Sequence, residues 1–357
     1  MLDAVRIALL SAGALLILVT ALPFVRTGAW WIRVWDFPRA QIAVAILLVL
    51  VAGAFVYQPF SLIDNLMLIG LVPSLAYQAW KIFPYTPLAS PQVVQSSSGD
   101  PRCRIRLLIA NVLMDNRRAG DFLALVRANH PDLVLAVETD AWWDGQLSAL
   151  ERDYPFSVRH PLENTYGMHL FSRLELRSPQ VRYLVEDDVP SIRTAVRLHS
   201  GDRIDFYGVH PRPPRPSDDT EERDAELLIV GKEVAAKPDA AIIAGDLNDV
   251  AWSYTTRLFQ KISGTLDPRI GRGMFSTFNA KWPLLRWPLD HVFHEEPFAL
   301  VEMRRLGFFG SDHFPMLAEL CYQPELAHRH EAPEADREDE EEAQAMIEEG
   351  EAAAAGN

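Results

Sequence analysis

The sequence predicts an α/β domain carried behind three membrane-spanning helices. Three observations predict it. Long, nearly uncharged apolar runs occupy the chain before residue 84. Beyond residue 104, short apolar runs alternate with amphipathic stretches. Those short runs stop on polar side chains, most clearly at Ala241-Ile-Ile-Ala-Gly-Asp-Leu-Asn-Asp249, where a buried-strand pattern ends at Gly245 and presents Asp246 and Asn248 two residues apart.

Charge and composition bound the function. The chain has 357 residues, 49% hydrophobic, with a net charge of -14. Residues 331–357 hold eleven acids and one arginine, so they carry -10 of that charge and the first 330 residues carry -4. A body this mildly acidic lacks the basic excess of a strong nonspecific DNA binder. Cys103 and Cys321 alone cannot build a zinc site; lying near the two ends of the soluble part, they leave a disulfide open, with two buried free thiols the favoured expectation.

The apolar runs are Ile7–Val25, Ala40–Tyr57 and Leu62–Phe83. Each is close to the roughly 20 residues that cross a hydrocarbon core. The third carries Asp64 and Asn65 near its start and is the weakest. The loop between the first two has Arg26, Arg33 and Arg39 with Trp30, Trp31 and Trp35, a composition suited to a membrane interface. The arginine distribution places that loop and everything after Phe83 in the cytoplasm. Residues 1–83 are thus a membrane anchor and residues 84–101, rich in Pro and Ser, a linker.

Residues 102–323 form the soluble domain. Arg104 to Leu113 alternates and then runs apolar, with Ile105 to Asn111 reading as a strand ending on an amide. Asp121 to Asn129 reads as a helix, and His130 to Glu138 as a buried strand delivering a carboxylate. Ile204 to His210 is a strand closing on a histidine, followed by the stiff loop Pro211-Arg-Pro-Pro-Arg-Pro216. Glu221 to Ala235 reads as a covering helix, Ser253 to Phe259 as another, and Trp287 to Phe293 as a strand bearing Asp290 opposite His291. Asp312 and His313 stand just before a last apolar strand, a pairing that fixes an imidazole tautomer. The acidic tail, residues 324–357, is expected to be disordered, with at most a transient helix near Glu340–Ile347.

Each strand-end residue alone has an ordinary explanation as a cap or surface charge. In this order they resemble the endonuclease/exonuclease/phosphatase superfamily, which includes pancreatic-type deoxyribonucleases, abasic-site endonucleases, neutral sphingomyelinases and inositol-phosphate 5-phosphatases. The motifs are Ile109-Ala-Asn111, Pro131-Asp-Leu-Val-Leu-Ala-Val-Glu138, Tyr166-Gly-Met to Ser172-Arg173, Val209-His210, Gly245-Asp-Leu-Asn248, Leu289-Asp-His-Val-Phe293 and Ser311-Asp-His313. The chain departs from many nuclease members at Thr139-Asp140, where they carry a lysine, and at Ile109-Ala-Asn111, where several carry Ser/Thr-Trp-Asn.

The resemblance implies a deoxyribonuclease I-like two-layer β-sandwich flanked by helices, and Mg²⁺-dependent attack of water on a phosphoester, with Mn²⁺ an alternative ion. It implies Glu138 as principal metal ligand, with Asn111 and Asp312 beside it. It implies that Asp246 orients or deprotonates the water, that Asn248 holds a phosphate oxygen, that His313 oriented by Asp290 acts on the phosphoryl group, and that His210 assists. It also looks like bacterial members tethered to the inner membrane. The substrate is expected to be nucleic acid or a phospholipid head group. The competing expectation is a catalytically silent membrane scaffold whose acidic tail recruits a basic protein partner.

Overall fold

The computed structural model describes residues 2–57, 60–214 and 219–356. Arg215 and Pro216 of the basic loop, and Gln58 of the second interhelical connection, lie outside them.

Three helices begin the chain: α1 (Leu2–Ala21), α3 (Arg39–Val56) and α4 (Leu62–Ile82), with a single turn, α2 (Trp30–Arg33), between the first two. All three long helices are long and apolar enough to cross a membrane. They pack on one another through Val19, Ile42, Ile46, Val49 and Leu71 and leave much of their remaining apolar surface exposed. Asp64, the residue that weakens the third run, is buried and partnered through one carboxylate oxygen, Oδ2. Its carboxylate accepts from the Ser61 backbone at 2.7 Å and pairs with Arg6 of α1.

The soluble part contains β1 (Arg104–Asn111), α5 (Ala119–Asn129), β2 (Leu133–Val137), α6 (Ala141–Leu147), β3 (Phe156–His160), β4 (Met168–Ser172), β5 (Glu175–Tyr183), β6 (Pro190–Arg197) and β7 (Arg203–Val209). It continues with α7 (Glu221–Ala235), β8 (Ala241–Asp246), α8 (Tyr254–Ser263), β9 (Asp290–His294), β10 (Phe298–Arg305), β11 (Met316–Tyr322) and α9 (Arg337–Gly356). One sheet runs β10-β11-β1-β2-β4-β3 and the other β5-β6-β7-β8-β9. Strand alternation builds the layers. On β1, Ile105, Leu107 and Ile109 face the other sheet's Ile204, Phe206 and Ile242, while Leu108 and Ala110 face α5 and α6. Tyr207, Val209, Ala241 and Ile243 bury the outer face of the second sheet under α7 and α8. This is the two-layer sandwich flanked by helices that the resemblance implies.

Three expectations need correction. Cys103 and Cys321 are joined in a disulfide. Antiparallel pairing of β1 with β11 sets Arg104 opposite Cys321, which brings the preceding Cys103 within bridging distance, at a Cα separation of 5.1 Å. A bridge closing so long a loop contributes about 2–4 kcal/mol. Second, the Pro/Ser-rich linker lies on the domain. Val93 is buried in the inter-sheet core, and Ser96 and Val94 exchange backbone hydrogen bonds with Leu300 on edge strand β10. An open strand edge accepts such pairing whatever the side chains. Third, the acidic tail is helical: α9 packs on α7 with Ala343, Ile347 and Gly350 buried. Its acids find bases of the same chain, Asp339 with Lys261 of the soluble domain at 2.7 Å and Glu342 with Arg26 of the α1–α3 loop at 2.7 Å. Gly350 allows the helices to touch, since a Cβ there would sit 2.4 Å from that of Ala225.

The loop joining α1 to α3 docks on the soluble part. Arg33 is buried, donates to Thr255 Oγ1 at 2.8 Å, and lies near the carboxylates of Asp224 and Asp249 at 3.9 and 4.0 Å. Trp252 donates its indole N–H to the Asp36 carbonyl at 2.7 Å, and Tyr85, just after α4, donates to the Ala251 carbonyl at 2.6 Å.

Candidate active site

Topology gathers the site. Strands β1 and β2 are parallel, as are β7 and β8, so the C-terminal ends of each pair open on one side. Antiparallel β9 and β11 begin where β8 and β1 end, with Asp246 paired to Asp290 and Ile109 to Met316. One rim of the sandwich therefore receives Asn111, Glu138, His210, Asp246, Asp290 and the Asp312-His313 pair. Gly245 is required at this rim. Its φ is +150°, and a Cβ there would stand 1.8 Å from the Val209 carbonyl oxygen, so only glycine lets β8 pass β7 this closely before Asp246.

Asn111 bridges the two carboxylates. Its amide nitrogen donates to Glu138 Oε1 at 2.7 Å and to Asp246 Oδ2 at 3.0 Å, while its oxygen accepts from the Leu113 backbone. His313 Nδ1 meets Asp290 Oδ2 at 2.8 Å, and its Nε2 lies 3.5 Å from Asp246. His210 Nε2 approaches the same Asp246 oxygen at 3.9 Å. Asp312 is partly exposed and close enough to Glu138 and His313 to act on both electrostatically. Asn248 stands aside from the bridge. It donates to the Pro211 carbonyl at 3.0 Å, and its backbone N–H caps Asp246 Oδ1 at 3.0 Å.

Burial and charge set the protonation states. Burial pushes Glu138 up to about 7, against the Asn111 hydrogen bond. Burial likewise raises Asp246, against the pull of His313. Burial opposes a charged His313, yet the carboxylates of Asp246 and Asp290 outweigh it and lift this imidazole to about 10. Burial holds His210 down to about 4, despite Asp246. Asp246 thus stands between a cationic imidazole and a neutral one, an arrangement able to hold a proton on one side and receive one on the other.

Asp246, Asp290 and His313 offer ligand atoms within 4.8 Å of one another. Asp290 Oδ1 is buried without a hydrogen-bond partner. Together with Glu138, these oxygens suit a hard divalent cation.

Sequence reading misses several supporting residues. Ser311 donates to the Asn111 carbonyl at 2.8 Å and caps the His313 N–H, stitching the last loop to β1. Phe278 packs its ring 5.0 Å from that of His313, and nothing about an isolated loop aromatic announces this. Behind the site, Asp267, Arg269 and His291 form a buried relay. Arg269 pairs with Asp267 at 2.8 Å and donates to His291 Nδ1 at 2.6 Å. Burial, then Arg269, keep His291 neutral, so its Nε2–H donates to the Asp249 carbonyl at 2.8 Å, beside Asn248.

The model of the endonuclease/exonuclease/phosphatase family matches residues 108–313, more than half of the chain. The sequence matches no curated protein. Similar solved structures include D. rerio TDP2 complexed with single-strand DNA product, at 16% identity over 61% of this chain and 98% of that one, TM-score 0.51. The human Nocturnin catalytic domain with bound sulfate anion is similar at 17% identity over 63% and 96%, TM-score 0.51. An endonuclease/exonuclease/phosphatase family protein from Bacteroides thetaiotaomicron is similar at 16% identity over 64% and 98%, TM-score 0.52. Identities this low establish the shared fold alone. Since the matched segment runs from inside β1 to His313 and takes in every residue gathered at the rim, this chain belongs to the endonuclease/exonuclease/phosphatase family.

Proposed function

We propose that this chain is a membrane-anchored, Mg²⁺-dependent phosphoester hydrolase, with Mn²⁺ able to substitute. The observation that carries this reading is the Asn111 bridge between Glu138 and Asp246, with His313 held by Asp290 beside it. Glu138 would hold the ion, with Asn111 and Asp312 next to it. A bound divalent cation supplies charge stabilisation at phosphoryl oxygens. Asp246 orients a water through its buried carboxylate, and Asn248, with one amide hydrogen on Pro211, has the other to offer a phosphate oxygen. His313 offers its Nε2 proton to the phosphoryl group, and neutral His210 accepts or relays one on the leaving-group side. The scaffold alternative loses its main support, because the acidic tail is engaged by α7 and by Lys261 and Arg26 of the same chain.

The full chain in detergent is expected to hydrolyse bis(p-nitrophenyl) phosphate with added Mg²⁺. EDTA should abolish turnover and fresh Mg²⁺ or Mn²⁺ should restore it. Turnover that persists through chelation would refute metal dependence.

We also place the soluble domain on the oxidising, extracytoplasmic side, contrary to the arginine count. The Cys103–Cys321 bridge suits such a compartment. Two of the counted arginines have structural tasks, Arg33 in the buried cluster and Arg39 with Asp36 and Gln78. In intact cells both cysteines should resist alkylation under denaturation until a reductant is added. Free thiols under those conditions would return the domain to the cytoplasm.

A further inference from the structure

The loop following the Phe278–His313 contact carries an apolar stretch that finds no cover. Trp282 is 66% exposed, Leu284 83% and Leu285 52%, all within Lys281-Trp-Pro-Leu-Leu-Arg286. Burial of side chains like these is worth much more than scattered surface apolarity explains, and a contiguous patch marks a surface awaiting a partner.

The loop's two ends say what the partner is. The Ala280 N–H donates to the Asp312 carbonyl at 2.6 Å, so one end belongs to the active-site rim. The Leu284 carbonyl accepts from the Gln41 side chain at 2.9 Å, and Gln41 lies in the first turn of α3, a helix suited to spanning a bilayer. From Ala280 to Leu284 is four residues, which reach no more than about 14 Å. The rim and the beginning of a membrane span are thus joined by a short bridge whose side chains are apolar. Phe37, just before α3, packs edge-on to Trp287 at 5.8 Å, fixing the far side of the loop to the same level.

Charge favours one kind of membrane. Arg286 and Arg305 stack on Phe314, with guanidinium carbons 4.9 and 4.4 Å from the ring centre. They donate to backbone carbonyls of Asn279, Ala280 and Ser276, and neither is in an ion pair among the described residues. Burial and the neighbouring Arg286 lower the pKa of Arg305, as expected of cations held together without a carboxylate. Guanidinium groups without a carboxylate, one of them next in sequence to Leu285, are suited to meeting lipid phosphates. A nucleic-acid groove would have use for the cations and for a flat indole, but not for two exposed leucines on a loop whose Leu284 carbonyl is held by Gln41 of α3.

We propose that the 281–286 loop inserts into the lipid layer beside α3, and that the site it borders hydrolyses a phosphoester of a lipid resident in that layer. This rests on the hydrolase reading above. In the reaction, water's oxygen forms a bond to phosphorus as the bond to the leaving oxygen breaks. The leaving oxygen takes up a proton as an alcohol, water's other proton passes to a base, and the phosphate stays with one product.

Two measurements on the full chain in vesicles of phosphatidylcholine with phosphatidylglycerol test it. In the first, Leu284→Cys carries an environment-sensitive dye; both native cysteines are in the disulfide, so the label has one address. Nitroxide-bearing lipids should quench the dye. A dye that stays in water, unquenched, overturns insertion.

In the second, Trp282→Ser, Leu284→Ser and Leu285→Ser are combined. Release of water-soluble product from phosphatidylglycerol should fall about tenfold or more, because losing one buried apolar side chain already shifts partitioning that far. Turnover of bis(p-nitrophenyl) phosphate in detergent should not change. Cleavage of single-stranded DNA with no release from phospholipid overturns the lipid assignment. A wild type inert towards bis(p-nitrophenyl) phosphate with every divalent metal refutes the hydrolase reading itself, a different failure that leaves the dye result standing.

Discussion

Asp246→Asn is expected to lower kcat/KM for any phosphoester substrate by roughly 10²–10⁴-fold, the usual cost of removing a general base. Asparagine preserves the volume of a fully buried side chain and can keep a hydrogen bond with Asn111. What it removes is the charge between His210 and His313. The expected accompaniment is a fall in the pKa of His313, since Asp246 is the foremost group raising it. Kinetics with bis(p-nitrophenyl) phosphate and an imidazole titration by NMR read the two effects separately. Activity within about tenfold of wild type would remove Asp246 from the chemistry.

Arg269→Met is expected to destabilise the soluble part by about 3–5 kcal/mol, because it strands the fully buried Asp267 carboxylate without its cation. The loss reaches the site, since Arg269 fixes His291 and His291 holds the Asp249 carbonyl next to Asn248. Denaturant unfolding of wild type, Arg269→Met and the double variant Asp267→Leu with Arg269→Met provides the check. The double variant should regain much of the stability, because an apolar pair leaves no buried charge unmatched. Equal losses in the single and double variants would mean that packing around Arg269, rather than the ion pair, carries the energy.

Much of the fold is legible because its central strands are short, apolar and stopped by polar residues. Leu133 to Val137 is wholly buried, and Glu138 leaves the sheet where the apolar run ends. The same logic exposes Asn111, His210 and Asp246, whereas their convergence depends on strand order and could be had only through the family resemblance. The disulfide was illegible for a related reason: the register that sets Arg104 beside Cys321 is a long-range fact. The tail is different, because its helix was readable. Ala343, Ile347 and Gly350 stand at i, i+4 and i+7, one stripe along an otherwise acidic helix, but net charge hid it. The 281–286 loop offers neither period nor length. Two leucines and a tryptophan beside a proline look like any turn until Gln41 of α3 is found against them.

The docking of the α1–α3 loop and the course of residues 84–101 bear on how the proposed hydrolase would meet its substrate. A flexible chain of 18 residues would let a tethered domain wander through a volume roughly 20–25 Å across. Here Val93 is sunk between the sheets, Tyr85 locks the end of α4 to the soluble part, Trp252 holds the α1–α3 loop through Asp36, and Arg33 of that loop is buried. With the three apolar helices in a bilayer, as proposed above, the rim would be held at one height over it, as a blade is held by a plane. On that proposal, a lipid substrate would reach the rim by a two-dimensional search, governed by lateral diffusion and by how far its phosphate projects from the lipid surface.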